Sequence, residues 1–160
     1  MKRARRRMIL TLSLAALMCG CTDDIVPEKD PQYLGLYYRY NYRDVVDTFT
    51  GTLTKDLIAD GTATVGFWLT TEAQDSILAE AVRDSFFAMP DTIIPPVRIA
   101  IYPFPPPQVL RIRAGELSHQ VVWYNYPGGD AMTRLAGVIL GIVQSTPEYK
   151  SLPPARGEYM

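Results

Sequence analysis

The chain has 160 residues, with 16 Lys and Arg, 17 Asp and Glu and a single His. Five of the cations, Lys2, Arg3, Arg5, Arg6 and Arg7, crowd into the amino terminus; the rest of the chain sets eleven cations against seventeen acids, a charge of about −6. Such a chain lacks the basic surface that neutralising phosphates requires, which excludes nucleic acid as a partner. One histidine removes every multi-histidine metal site, and the sequence calls for no cofactor.

After the basic start, an apolar run extends from Met8 to Met18 and ends in small residues around Gly20. This is the layout of a secretory signal, predicted over residues 1–20. This run of eleven residues falls far short of the ~20 that a membrane-spanning helix needs. The stretch Met18-Cys19-Gly20-Cys21 resembles the lipobox of bacterial lipoproteins, with Met where Leu is usual. That resemblance implies cleavage before Cys21, acylation of its thiol and anchorage in the lipid bilayer. Cys19 follows Met18, a poor cleavage residue, so the choice falls on Cys21. Thr22 rather than Asp follows the modified position, which in diderm lipoproteins resembles the pattern of outer-membrane delivery. With Cys21 acylated and Cys19 removed, no disulfide can form and stability must come from packing in a single domain.

Residues 21–33 are acidic and broken by Pro27 and Pro31, and so read as a flexible tether. At ~3.3–3.6 Å per residue, the twelve residues from Thr22 to Tyr33 reach at most about 40 Å. A single domain is predicted over 34–160. From Leu34 the chain alternates, with Leu36, Tyr38, Tyr40 and Tyr42 on one side and Tyr37, Arg39, Asn41 and Arg43 on the other. A second strand sets Phe49, Leu53 and Leu57 against threonines. Asp60-Gly61 then marks a tight turn into a third strand, with Ala63, Val65, Phe67 and Leu69 inward and Thr62, Thr64 and Trp68 outward.

Thr71 and Gln74 have the spacing of a capping box, and Ile77, Leu78, Ala81, Val82, Phe86 and Met89 continue a helix that Pro90 stops. Six of the 13 prolines lie between Pro95 and Pro107, making 90–108 a proline-rich loop with room for a short edge strand at Val97–Tyr102. Strands are expected at Val109–Ala114 and Leu117–Tyr126, turned by Gly115-Glu116. Pro127-Gly128-Gly129 ends the second of these. Asp130 then caps a helix from Ala131 to about Ser145, apolar most of the way round. Gly137 and Gly141 within it form a small-xxx-small pattern that close packing of helix on sheet explains. The order β-β-β-α-β-β-α predicts an α+β fold: an antiparallel sheet of about five strands, two helices on one face and the other face open.

Candidate chemistry is sparse. His119 is the sole acid/base candidate, and Ser118 beside it points to the opposite face of a strand, so the two cannot form a dyad; strand surface is the expected place for His119. Asp56 and Asp60 lack the ligand spacing of a calcium loop. A less ordinary set is Tyr37, Arg39, Trp68, Arg111 and Arg113, which the alternation aims away from the core, with threonines between them. Aromatic rings beside guanidinium groups stack on ligands or anchor partners, although such residues are also common on exposed strands.

The segments Leu69-Thr70-Thr71-Glu72, Phe86-Phe87-Ala88-Met89-Pro90-Asp91, Leu110-Arg111-Ile112-Arg113 and Ser118-His119-Gln120-Val121-Val122-Trp123 are similar to those of small bacterial domains that include the emfourin family of metallopeptidase inhibitors. The likeness would span roughly residues 35–146 and implies a fold more than an activity; the long proline insertion departs from that family, and no inhibitory residue can be matched. The expected function is that of a lipid-anchored, non-catalytic binding or accessory protein of the bacterial envelope, partnered by the bilayer and by an envelope protein or peptidase. Metallopeptidase inhibition through the proline-rich loop, and an envelope hydrolase centred on His119, are the alternatives.

Overall fold

A computed structural model describes residues 32–94, 106–124 and 131–159. The signal at 1–20, Cys21, the tether as far as residue 31, the edge strand at Val97–Tyr102 with most of the proline-rich loop, and the Asp130 cap lie outside the described residues, as does the expected strand end beyond Tyr124. Seven strands are described: β1 (Leu34–Arg39), β2 (Val45–Asp47), β3 (Thr52–Ile58), β4 (Gly61–Gly66), β5 (Thr92–Ile93), β6 (Gln108–Ala114) and β7 (Leu117–Trp123). Three α-helices accompany them: α1 (Thr71–Arg83), α2 (Ala131–Ser145) and α3 (Pro147–Ser151). The strands form one sheet in the order β4-β3-β2-β1-β6-β7-β5, antiparallel throughout except where β5 runs parallel to β7. The α+β class with an antiparallel sheet is therefore right, while the counts of five strands and two helices are corrected to seven and three among the described residues.

Period-two alternation builds the core face. Leu34, Leu36 and Tyr38 of β1, Val46 of β2, Leu53 of β3, Leu110 and Ile112 of β6, and Val121 and Trp123 of β7 are buried in one cluster with Ile77 and Ala81 of α1 and Met132, Leu135, Ala136, Ile139 and Val143 of α2. Each fully buried Leu, Ile or Phe contributes roughly 1.5–3 kcal/mol, so this one layer of helices on one face of the sheet dominates stability. Tyr38 stacks on Trp123 with ring centres 5.9 Å apart, and its hydroxyl donates to the Gln108 amide oxygen, which settles the one polar atom the ring takes inside.

Several local expectations are overturned. The first strand ends at Arg39 rather than running on to Tyr42, because Tyr40 donates its N–H to the Asp44 carbonyl (3.2 Å) and the chain doubles back into β2. Phe49 is not an inward strand residue but sits in the turn between β2 and β3. The two-residue loop after β3 is Ala59-Asp60, one position earlier than expected. Ile58 pairs with Gly61, and those flanking residues carry the positive φ values of 62° and 79°.

The capping box also fails. Thr70 is the N-cap, accepting from the Ala73 N–H, while Gln74 is fully buried and performs a different task. Its Oε1 accepts the N–H groups of Tyr33 and Leu34 (2.9 and 3.0 Å) and its Nε2 donates to the Leu69 carbonyl. One side chain thus satisfies the start of β1 and ties it to α1. The helix does not reach Met89. Asp84 closes α1, Ser85 adopts a left-handed conformation (φ 55°), and a 3-10 turn at Phe86–Ala88 swings Phe86 into the core while Val82 is left 62% exposed. Gly137 and Gly141 are exposed with open space at both Cβ positions, so close packing on the sheet does not explain them.

A second polar tie closes the β3 side. Asp56 is 3% exposed; it accepts from Arg43 Nε (3.1 Å), the Tyr159 hydroxyl (2.8 Å) and the Ile58 N–H (2.9 Å). Its own N–H donates to Asp44 Oδ1 at 2.7 Å. The Ile58–Arg156 bridge and the Tyr42–Tyr159 ring contact bring the carboxy-terminal segment to the same place. Asp56 is therefore a structural acceptor.

Candidate site on the open sheet face

The face of the sheet turned away from the helices carries the alternate residues: Gly35, Tyr37 and Arg39 from β1, Arg111 and Arg113 from β6, and Ser118, Gln120 and Val122 from β7. Register aligns them in cross-strand rows. Tyr37 faces Arg111, which faces Gln120, and Gly35 faces Arg113, which faces Ser118. Of the five residues expected there, Tyr37, Arg111 and Arg113 come together. Arg39 lies one row away beside Val45 and Val109, with its Nε buried and lacking a hydrogen-bond partner. Trp68, 40% exposed, follows β4, and β3, β2 and β1 stand between β4 and β6 in the sheet; its ring lies over Gly51 and Gly66 instead.

Phe49 completes the cluster. The Asp47 carboxylate accepts the N–H groups of Phe49 and Thr50 (2.9 and 3.3 Å), and this turn drops the Phe49 ring onto β1 at Gly35. A Cβ at Gly35 would lie 2.4 Å from a Phe49 ring carbon, so only glycine leaves room for the ring. An aromatic ring covering a strand glycine restores the packing that the missing side chain removes. The Arg111 guanidinium carbon stands 4.6 Å from the centre of the Phe49 ring and 5.7 Å from that of Tyr37; that of Arg113 stands 4.9 Å from Phe49. Two cations and two rings thus interleave, each contact worth roughly 0.5–1 kcal/mol at an exposed site.

Stacking uses the faces of the guanidinium planes and leaves their N–H edges available. Among the described residues Arg111 and Arg113 form no ion pair, while Arg43, Arg83, Arg134 and His119 have acids within 4 Å elsewhere in the fold. Asp47, the acid nearest in register, is engaged by the backbone of the Phe49 turn.

Beside Arg111 a groove of about 480 Å³ opens across β6 and β7 to β5. Arg111, Ser118, Gln120, Asp91 and Thr92 line it, and Val122 is its one aliphatic residue among the described residues. His119 reaches the groove from the core side of β7 rather than from the strand surface. Its ring meets Phe86 edge-on at 5.4 Å, its Nδ1 is 3.9 Å from Asp91 Oδ1, and its Nε2 is buried without a partner. The parity that buries Val121 and Trp123 carries His119 with them, and Ser118 points to the opposite face, so the two form no dyad. Among the described residues no three His, Cys, Asp or Glu side chains are grouped to hold a metal ion.

No family model matches the chain, and neither a curated protein nor a solved structure does. The reading of this site rests on its own geometry.

Proposed function

We propose that this chain is a lipid-anchored, non-catalytic binding module of the bacterial envelope, tethered through acylated Cys21 and presenting the open face of its sheet to a ligand. The observation that carries the reading is the interleaved stack of Tyr37, Arg111, Phe49 and Arg113, whose guanidinium groups have no acidic partner among the described residues. A glycine and an Asx turn place the Phe49 ring against both guanidinium groups, which gives a preorganised donor surface in a chain whose remainder is acidic. Preorganisation lowers the ordering cost that otherwise offsets binding energy.

The test compares capture from detergent extracts of the native envelope by the full wild-type chain, by Arg111→Ala and Arg113→Ala singly and together, and by Arg134→Ala, which removes one cation from α2 and so matches each single variant in charge. The double variant should lose at least one component that the wild type and the control both retain. An identical set captured by all of these chains would remove the face from consideration.

A further inference from the structure

The geometry points to an acidic saccharide as the ligand of this face: a hydroxyl-rich sugar carrying a carboxylate or phosphate, its charge on the Arg111 and Arg113 guanidinium edges and its hydroxyls in the adjoining groove. This deepens the binding-module reading and rests on it. Arg111 belongs to both halves of the site, stacked between Phe49 and Tyr37 on one side and lining the groove on the other. A planar guanidinium held by rings is oriented to donate in a fork, which suits the two oxygens of a carboxylate or of a phosphate.

The lining of the groove decides between ligand classes. Ser118 and Thr92 hydroxyls, the Gln120 amide and the Asp91 carboxylate offer donors and acceptors at short intervals, and Val122 is the single aliphatic residue among the described ones. Sugar hydroxyls both donate and accept, so they match such a set, whereas apolar side chains of a peptide would find no pocket. Asp91 also discriminates. Its side chain is 90% exposed and only 3.9 Å from His119, so it presents an acceptor to incoming hydroxyls and repels a ligand that brings carboxylates without hydroxyls. One anionic group per several hydroxyls satisfies both arginines and Asp91. An acidic peptide satisfies only the arginines. The rings of the stack are half-buried, so they orient the two guanidinium groups rather than offer a stacking surface of their own.

The measurement is calorimetric titration of the full chain in detergent with trigalacturonic acid, glucose 6-phosphate, maltotriose and triglutamate. Trigalacturonic acid or glucose 6-phosphate should bind about tenfold or more tightly than maltotriose and triglutamate, and which of the two binds identifies the anion. Arg111→Ala should weaken that binding roughly tenfold or more and Arg111→Lys by nearly as much, because lysine has neither the fork nor the stack. Gln120→Ala should weaken it several-fold and Arg134→Ala should leave it unchanged. Equal binding of maltotriose, a preference for triglutamate, or no heat from any of the four up to about 10 mM would overturn the assignment. If it is overturned while capture from envelope extracts still depends on Arg111 and Arg113, the ligand class falls and the binding module stands.

Discussion

Asp56→Ala should lower the stability of the domain by about 3 kcal/mol, the largest effect expected of any single polar substitution in the fold. The carboxylate is almost fully buried and accepts from Arg43, Tyr159 and the Ile58 N–H at once. Removing it leaves three donors without an acceptor, where breaking a fully buried pair costs roughly 3–5 kcal/mol. The lower end applies because the Arg43 side chain is 50% exposed and recovers water. Against a typical total of about 5–15 kcal/mol, the shift would be plain in a urea melt. Arg43→Ala should cost much less, since a half-exposed partner leaves a carboxylate still satisfied by two other donors. An unchanged urea midpoint for Asp56→Ala would show that the carboxy-terminal segment does not depend on this anchor.

The same cluster fixes a pH dependence. Burial by itself raises the Asp56 carboxyl, yet the Ile58 N–H, the Tyr159 hydroxyl and the Arg43 guanidinium outweigh it and hold the group below its ordinary value of 3.8. A depressed folded value means stability that is fully present above about 3.8 and is lost as the pH falls through the folded value. Asp44 has the opposite sign. Burial, joined by the neighbouring Asp56 charge, lifts its carboxyl above 3.8 despite the Asp56 N–H it accepts, so its protonation favours the folded state as the medium acidifies. The acid limb of the stability curve should therefore be shallow in the wild type. It should lose its Asp56 component in Asp56→Asn.

Cys21→Ser should abolish fatty-acid incorporation altogether. The apolar run before it is eleven residues, too short to span the ~20-residue thickness of a bilayer as a helix, and no helix among the described residues is long and apolar enough to cross one. The acyl chains are the proposed source of membrane affinity. At ~0.8 kcal/mol per buried methylene, one chain holds only reversibly and stable attachment needs two or more. A remainder with net charge near −6 adds no electrostatic attraction to anionic lipid. Labelling with a clickable fatty acid should mark the wild-type chain and leave Cys21→Ser dark; equal labelling of both would remove the anchor and the envelope placement with it.

The parts legible in the sequence are those that depend on parity alone. Tyr37, Arg111 and Arg113 could be assigned to the outward face because Leu36, Tyr38, Leu110 and Ile112 are so evidently inward, and two residues of strand fix which side the next one takes. Strand β2 has three residues and β5 two, too few for alternation to register. Gln74 stands at the spacing of a capping box, and nothing local reveals that the N–H groups of Tyr33 and Leu34, some forty residues earlier, have the stronger claim on it.

Phe49 was hidden for a related reason. Its alternation with the neighbouring threonines imitates a strand, while its true place follows from a turn held by Asp47 and from the space above Gly35. The available signal was Gly35 itself, a glycine inside a strand on the face that also bears Tyr37 and Arg39, which marks a site where another group approaches closely. Gly66 and Gly51 under Trp68 repeat the pattern. His119 shows parity misapplied, since its place two residues before Val121 already put it on the core side.

The most direct test of the account is arginine footprinting with phenylglyoxal, read peptide by peptide, on the chain in its native envelope and after purification into detergent. Occupancy of the open face predicts that Arg111 and Arg113 are shielded in the envelope and react after purification, while Arg134 on α2 reacts equally in both. Equal reaction of Arg111 and Arg113 in the two settings would mean that nothing rests on that face, and the proposed role of the sheet would be contradicted.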